Sequence, residues 1–111
     1  MISPAADRSP RDALAAELAR VADRLRTFSL DQLGAAGRAG TPRRQLAHDA
    51  AQALADLAAR SSGRAPRPLP RLAVHGVADQ VVVTGQDLLQ EGDDPALREA
   101  VRLLAALRAA L

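Results

Sequence analysis

Apolar residues recur every three or four positions in four segments of the chain, which is the spacing of an amphipathic helix. In the first segment five large apolar side chains share one face: Leu14, Leu18, Val21, Leu25 and Phe28. Ser9 and Pro10 precede it, and they are a capping side chain and a proline suited to the first helical position. The pattern predicts a helix over residues 10–28, with Glu17, Arg20 and Asp23 on its outer face.

The second segment begins in the same way, with Thr41 followed by Pro42. It predicts a helix over residues 42–60, whose inner face carries Leu46, Ala50, Ala53, Leu54 and Leu57. Residues 29–40 contain three glycines, each of which weakens a helix by about 1 kcal/mol relative to alanine. We therefore expect a connector there, with one or two helical turns.

Residues 61–71 are rich in proline and arginine. Gly63 is suited to ending the second helix, and Pro66, Pro68 and Pro70 alternate with other residues. Such spacing favours an extended, polyproline-like path. A connector this stiff can cross the length of a helical bundle, so we interpret it as a structural crossover, with a proline-rich peptide ligand as the alternative.

Residues 72–91 allow two interpretations. Two valine-rich strands could flank residues 75–80, but a helix sorts the residues better, because the valines and leucines then share one wide face. Gln80 and Thr84 fall on the outer side, and Gly85 falls on the apolar side, where it would allow another helix to approach closely. We predict a helix over residues 73–91, the most buried of the four.

The last helix is predicted over residues 95–111, after a stop at Gly92 and a start at Asp93-Asp94-Pro95. Arg108 interrupts its apolar face, and we expect its guanidinium to reach water and the terminal carbonyl groups. The sequence thus predicts an all-α, four-helix bundle-like fold with a proline-rich crossover between the second and third helices. Residues 1–111 form a single domain in this interpretation, with a loose tail over residues 1–8.

Composition indicates a GC-rich genome more than a function, because the chain has 15 arginines, no lysine and 26 alanines. An alanine-rich core is thin, so association with a second copy would help to stabilise it. The absence of cysteine excludes disulfides, thiolate chemistry and zinc fingers. With no apolar signal segment and no bilayer-length apolar stretch, we expect a cytoplasmic protein without membrane contact.

Charge is distributed unevenly around a formal net charge of +2. Residues 61–71 carry three arginines and no acid, whereas residues 72–111 carry six acids and three arginines. The basic crossover and the acidic run from Asp87 to Asp94 are candidate complementary patches. This arrangement favours self-association or docking on a partner over binding to a polyanion.

The chain offers few parts for catalysis. A transition-metal site usually needs three or four protein ligands, and His48, His75 and Asp79 would meet only if their two helices face each other. We expect His48 toward the outer side of its helix and His75 bonded to Asp79. Residues 73–77 resemble the histidine-bearing helix of the DinB-like bundles, which use three metal histidines, whereas this chain has two, so no activity is carried over.

No nucleophile motif or desolvated pair of carboxylates is present in the sequence, so we expect no catalytic residue, no metal and no cofactor. Nucleic-acid binding is an alternative, because seven arginines lie in the middle of the chain: Arg38, Arg43, Arg44, Arg60, Arg64, Arg67 and Arg71. The sequence offers a single aromatic ring of the Phe, Tyr or Trp type, Phe28, and so no platform on which successive bases could stack, and its acidic C-terminal half opposes a polyanion.

We therefore expect a small, non-catalytic helical interaction module that forms a homodimer. The alternatives are a nucleic-acid-associated accessory protein that uses the arginine-rich middle segment, and a metal-binding helical-bundle enzyme. The candidate core or interface residues come from the last two helices, and the candidate basic patch comes from the crossover. These candidates are Val81, Leu88, Leu97, Val101 and Leu104, together with Arg64, Arg67 and Arg71.

Overall fold

The computed structural model describes residues 8–111, so the tail predicted over residues 1–8 lies, except for Arg8, outside the described residues. Within this range the chain forms five α-helices: α1 (Pro10–Arg26), α2 (Leu30–Gly34), α3 (Arg43–Ser61), α4 (Val77–Glu91) and α5 (Asp94–Ala110). Residues 8–111 contain no β-strand, so the all-α prediction is confirmed. In that same range, no helix combines the length and the apolar character needed to cross a membrane.

The four long helices form a bundle in which α1 and α3 lie diagonally across from each other. Both α4 and α5 contact α1, and both also contact α3. The short helix α2 lies against α3 and against a 3₁₀ turn at Val74–Gly76. The predicted four-helix arrangement is thus consistent with the structure, and α2 provides the short helical segment expected between the first two long helices.

Two of the three predicted helix starts are confirmed by hydrogen bonds. The Ser9 hydroxyl accepts a bond from the Asp12 amide at 3.1 Å, and the Asp93 carboxylate accepts one from the Ala96 amide at 2.9 Å. The prediction for Thr41 is wrong, because α3 begins at Arg43 and its N-cap is Pro42, without a side-chain cap. Pro42 has extended backbone angles, which places Thr41 one residue too far from the helix.

The helical interpretation of the valine-rich segment is confirmed. The 3₁₀ turn leads directly into α4, and Val83, the one valine outside the apolar face, is 55% exposed. The outward positions predicted for Gln80 and Thr84 are wrong, because both side chains are buried. The Gln80 amide donates to the carbonyl of Pro70 at 2.9 Å, and the Thr84 hydroxyl donates to the carbonyl of Gln80 at 2.9 Å. Burial of these polar groups is tolerated because each has a partner.

The core is built from a few leucines and valines packed among alanines. Seven large side chains are fully buried: Leu14, Val21, Leu25, Leu54, Val81, Leu88 and Leu104. The predicted close approach at Gly85 is confirmed, since a Cβ atom there would lie 2.6 Å from Cδ1 of Leu18. The side chain of Leu18 on α1 therefore occupies the space that a side chain at position 85 would need.

Glutamine side chains hold the crossover against the bundle. Gln52 of α3 acts like an added peptide group: its carbonyl accepts from the Leu69 amide at 2.7 Å, and its NH2 group donates to the Arg67 carbonyl at 3.0 Å. Gln80 of α4 holds the carbonyl of Pro70 in the same way. The segment therefore runs as the structural crossover predicted from its prolines, but side chains from two helices fix its path.

Glu17 was expected on the outer face of α1, and this prediction is wrong, because its side chain is only 6% exposed. Its carboxylate accepts hydrogen bonds from Nε of Arg108 at 2.7 Å and from Arg20 at 3.0 Å. The prediction that the Arg108 guanidinium would reach the terminal carbonyl groups is wrong, because the guanidinium hydrogen-bonds to Glu17 instead. Burial alone would raise the pKa of Glu17, but the hydrogen bonds and charges of Arg108 and Arg20 outweigh it and lower the pKa below 4.5.

The end of α5 docks on the loop that precedes α3. Nε of Arg43 donates to the Leu111 carbonyl at 2.9 Å, and the Arg38 amide donates to the Ala110 carbonyl at 2.9 Å. The guanidinium of Arg43 also lies 4.6 Å from the centre of the Phe28 ring. Arg43 therefore ties the end of α1, the start of α3 and the end of α5 together.

Candidate functional site

The structure places most of the predicted apolar candidates in the core. Val81, Leu88, Leu97 and Leu104 are each at most 2% exposed, and Val101 is partly buried. Of the two roles considered for these residues, core or interface, the structure thus assigns the core role to the first four. The apolar faces of α4 and α5 close on α1 and α3, so these four side chains offer a partner no surface.

The three crossover arginines remain exposed, but two of them already have partners in the same chain. Arg64 forms an ion pair with Glu91 at the end of α4. Arg71 donates to Oε1 of Gln45 in α3 at 2.8 Å. The basic crossover and the acidic end of α4, expected to be complementary patches, therefore contact each other within one molecule.

An open apolar groove runs between α1 and α4, with a volume of about 300 Å³. We call it the α1–α4 groove. Small and apolar side chains line it, with polar ones at its edge: Ala15, Leu18, Ala19, Ala22, Val82 and Leu89, with Asp23, Arg26 and Gln86. Ala15 and Ala19 are exposed, although they face the same groove as buried Leu18. No sequence prediction identified this surface, because exposed alanines do not stand out against the 26 in the chain.

The exposed face of α1 carries its charges in an ordered series. Asp12, Ala15, Ala19, Asp23 and Arg26 are all exposed, and their spacing places them on one side of a helix that turns by about 100° per residue. At one end of the groove Arg26 lies 3.4 Å from the Asp79 carboxylate, and both side chains are more than half exposed. An exposed pair of this kind contributes little to stability, so Arg26 is available to another partner.

A second concave surface lies between α3 and the end of the crossover. It has a volume of about 280 Å³ and is lined by Arg44, Gln45, His48, Arg71, Leu72, Val74 and Val77. We call it the α3–crossover pocket. His48 was expected toward the outer side of its helix, and it is half-buried at the wall of this pocket.

The predicted bond between His75 and Asp79 is wrong. His75 is exposed, and the structure pairs Asp79 with Arg26 instead. Among residues 8–111 no three histidine or acidic side chains lie close enough together to hold a metal ion. The nearby His48 hydrogen-bonds to Gln80, with 3.3 Å between Nδ1 and Oε1.

The arginines of the middle segment do not form one surface. Arg43 is engaged with Phe28 and with backbone carbonyls, and Arg64 is engaged with Glu91. Arg44 and Arg71 lie together in the α3–crossover pocket, whereas Arg64 and Arg67 line a separate recess with Ala55 and Ala59. A continuous basic stripe, which is typical of nucleic-acid binding, is therefore interrupted at Arg43 and Arg64.

Comparison of the chain with known proteins identifies no matching family model, no significantly similar curated protein and no significantly similar solved structure.

Proposed function

We propose that this protein is a non-catalytic helical module that forms a homodimer through the α1–α4 groove. The observation that carries the proposal is the order of residues along the exposed face of α1. An acid, Asp12, stands at one end, two alanines stand in the middle, and a base, Arg26, stands at the other end. Such a series is complementary to itself when read in the opposite direction.

A homodimer normally has twofold symmetry, so the same patch faces itself across the axis. When two α1 helices pair antiparallel with Ala19 near the axis, Arg26 of one copy comes opposite Asp12 of the other. The same pairing brings Asp23 opposite Ala15, so no two like charges on α1 are placed directly across from each other. Both arrangements follow from equal sequence separations on either side of Ala19, because Asp12 and Arg26 are each seven residues from it and Ala15 and Asp23 are each four residues from it.

The groove also supplies the apolar contact that such a dimer needs. Ala15 and Ala19 leave the backbone of α1 accessible, and helices with small contact residues approach to about 8 Å. Val82 and Leu89 are half-buried along the opposite wall. Covering these side chains removes apolar surface from water, at roughly 25 cal/mol for each Å².

The proposal differs from the sequence-based expectation in the surface used. The expected interface on α4 and α5 is occupied by the bundle itself, whereas the outer face of α1 with the adjoining face of α4 is accessible. The proposal includes the cytoplasmic location expected from the sequence.

Static light scattering of the full chain tests the proposal. We expect a mass near twice 11.6 kDa at micromolar concentrations, and a monomer for Ala19→Arg, whose side chain would block the twofold contact. Ala109→Arg is the matched control, because Ala109 is an exposed helical alanine on α5. A monomeric wild-type protein would refute the homodimer, and a dimeric Ala19→Arg would refute its placement on the α1–α4 groove.

A further inference from the structure

The α3–crossover pocket joins a basic rim to an apolar wall. Arg44 and His48 come from α3, and Arg71 comes from the end of the crossover. Leu72, Val74 and Val77 form the wall, and Leu72 is 47% exposed. None of these residues lines the α1–α4 groove, so the pocket is independent of the proposed dimer contact.

Both guanidinium groups retain donors for a ligand. Arg71 donates one bond, from Nη1 to Oε1 of Gln45 at 2.8 Å, and an arginine has five N–H donors. Within residues 8–111 neither Arg44 nor Arg71 forms an ion pair with an acidic side chain. Asp49, an acid one turn from Gln45, accepts a bond from the Gln45 amide at 2.7 Å. The pocket therefore concentrates two positive charges without a carboxylate paired to either.

The scaffold also fixes how Arg71 and His48 are presented. Gln45 holds Arg71 with its carbonyl while its NH2 group is held by Asp49. The NH2 group of Gln80 donates to the Pro70 carbonyl, so its Oε1 is the atom that faces Nδ1 of His48, 3.3 Å away. Since Oε1 can only accept, Nδ1 of His48 carries a proton, and Nε2 is the ring nitrogen left for a ligand.

We propose that this pocket binds the phosphate group of a small organic phosphate, whose apolar part lies on Leu72, Val74 and Val77. Two guanidinium groups match the charge of a phosphate monoester, which is about −1.5 to −2 at neutral pH. Arginine forks form paired hydrogen bonds to phosphate oxygens. A volume of about 280 Å³ lies near the lower limit of ordinary ligand pockets, which suits a molecule of a few carbons rather than a nucleotide.

Isothermal titration of the full chain with butyl phosphate and with inorganic phosphate, at constant ionic strength, tests this site. We expect saturable binding of both, with butyl phosphate the tighter. Arg44→Gln and Arg71→Gln should each weaken butyl phosphate binding about tenfold, since each removes a charged hydrogen-bond partner. Arg98→Gln, which removes the same charge from an exposed position on α5, should change it less than twofold.

Leu72→Ala separates the apolar contact from the basic one. It should weaken the binding of butyl phosphate while leaving that of inorganic phosphate unchanged. Circular dichroism of every variant confirms that it keeps the wild-type helix content. The proposal is overturned if butyl phosphate shows no saturable binding up to about 20 mM, which corresponds to negligible affinity. It is equally overturned if Arg98→Gln weakens binding as much as Arg44→Gln, or if the two phosphates bind alike.

Discussion

Glu17 of α1 and Arg108 of α5 are 91 positions apart in the chain and hydrogen-bonded at 2.7 Å. The glutamate side chain is 6% exposed, whereas that of Arg108 is 44% exposed. The charged head of the arginine thus covers the buried carboxylate while it keeps contact with water. This pair fixes the last helix against the first, although the hydrophobic pattern placed Glu17 on the outer face of α1.

The pKa of Glu17 makes stability depend on pH in a definite direction. Because the folded protein lowers this pKa below 4.5, the ionised pair stabilises the fold above that pH, and the contribution is lost as pH falls through the lowered value. Glu17→Gln should cost about 1.5–3 kcal/mol at pH 7, the usual contribution of a hydrogen bond to a charged group.

Urea unfolding at pH 7 and at several values below pH 4.5 measures this effect. We expect the difference between wild type and Glu17→Gln to shrink as the pH falls. Glu99→Gln is the control, since Glu99 pairs with Arg102 at the surface and both side chains are more than half exposed. A difference that stays constant down to pH 3 would contradict the assigned role of the carboxylate.

Gln52 holds the crossover against α3 through two hydrogen bonds to the backbone of residues 67 and 69. Gln52→Ala leaves the Leu69 amide without that acceptor, and we expect a loss of about 1–3 kcal/mol in the free energy of unfolding. Gln90→Ala, at an exposed position on α4, should change the stability by less than about 0.5 kcal/mol. Chemical denaturation of both variants measures the difference, and equal losses would show that Gln52 does not hold the crossover.

Two glycines between α1 and α3, Gly34 at the end of α2 and Gly37 in the loop after it, allow a matched test of backbone packing. A Cβ atom at Gly37 would lie 2.5 Å from the carbonyl oxygen of Ala110, whereas a Cβ atom at Gly34 would meet nothing within 4 Å. Gly37→Ala should therefore cost about 1–3 kcal/mol through overpacking.

Gly34→Ala should be neutral or stabilising by up to about 1 kcal/mol, because alanine favours a helix more than glycine does. Thermal unfolding of the two variants compares the positions directly. A Gly37→Ala protein as stable as wild type would mean that the end of α5 does not pack on this loop.

The hydrophobic spacing of the sequence was sufficient to predict the helices and their order. The leucine stripe of α1 and the valine face of α4 both lie in the core, and Gly85 marks a close helix contact. What the spacing could not show is a polar residue whose partner is distant in the chain. The hydrophobic pattern places Glu17, Gln80 and Thr84 at the surface. Their burial is possible because each forms a hydrogen bond: Glu17 with Arg108, Gln80 with the Pro70 carbonyl, and Thr84 with the Gln80 carbonyl.

The two candidate surfaces depend on tertiary structure in the same way. The α1–α4 groove uses alanines, whose exposure is decided by whether a neighbouring helix covers them. The α3–crossover pocket brings together Arg44 and Arg71, which are separated by 27 positions and meet only because the crossover folds back along α3. Neither arrangement has a local sequence motif, so the sequence alone could identify the charges but not their grouping.

Charge reversal tests the register of the proposed dimer. Asp12→Arg and Arg26→Asp each set like charges across the antiparallel contact, so each should weaken self-association. The double variant restores opposite charges and should recover most of the loss. Dissociation constants from sedimentation equilibrium provide the measurement, and simple addition of the two losses would contradict this pairing.

The most direct measurement of the central claim uses the absence of cysteine from the chain. Ala19→Cys introduces a single thiol at the proposed twofold axis, where Cα atoms within about 4.4–6.8 Å of each other can form a disulfide. Mild oxidation of the folded variant should give a covalent dimer on a non-reducing denaturing gel. Ala109→Cys on α5 should run as a monomer on the same gel, because its thiols lie away from the proposed contact. Equal cross-linking of the two variants, or none at position 19, would contradict the proposal that α1 pairs with itself.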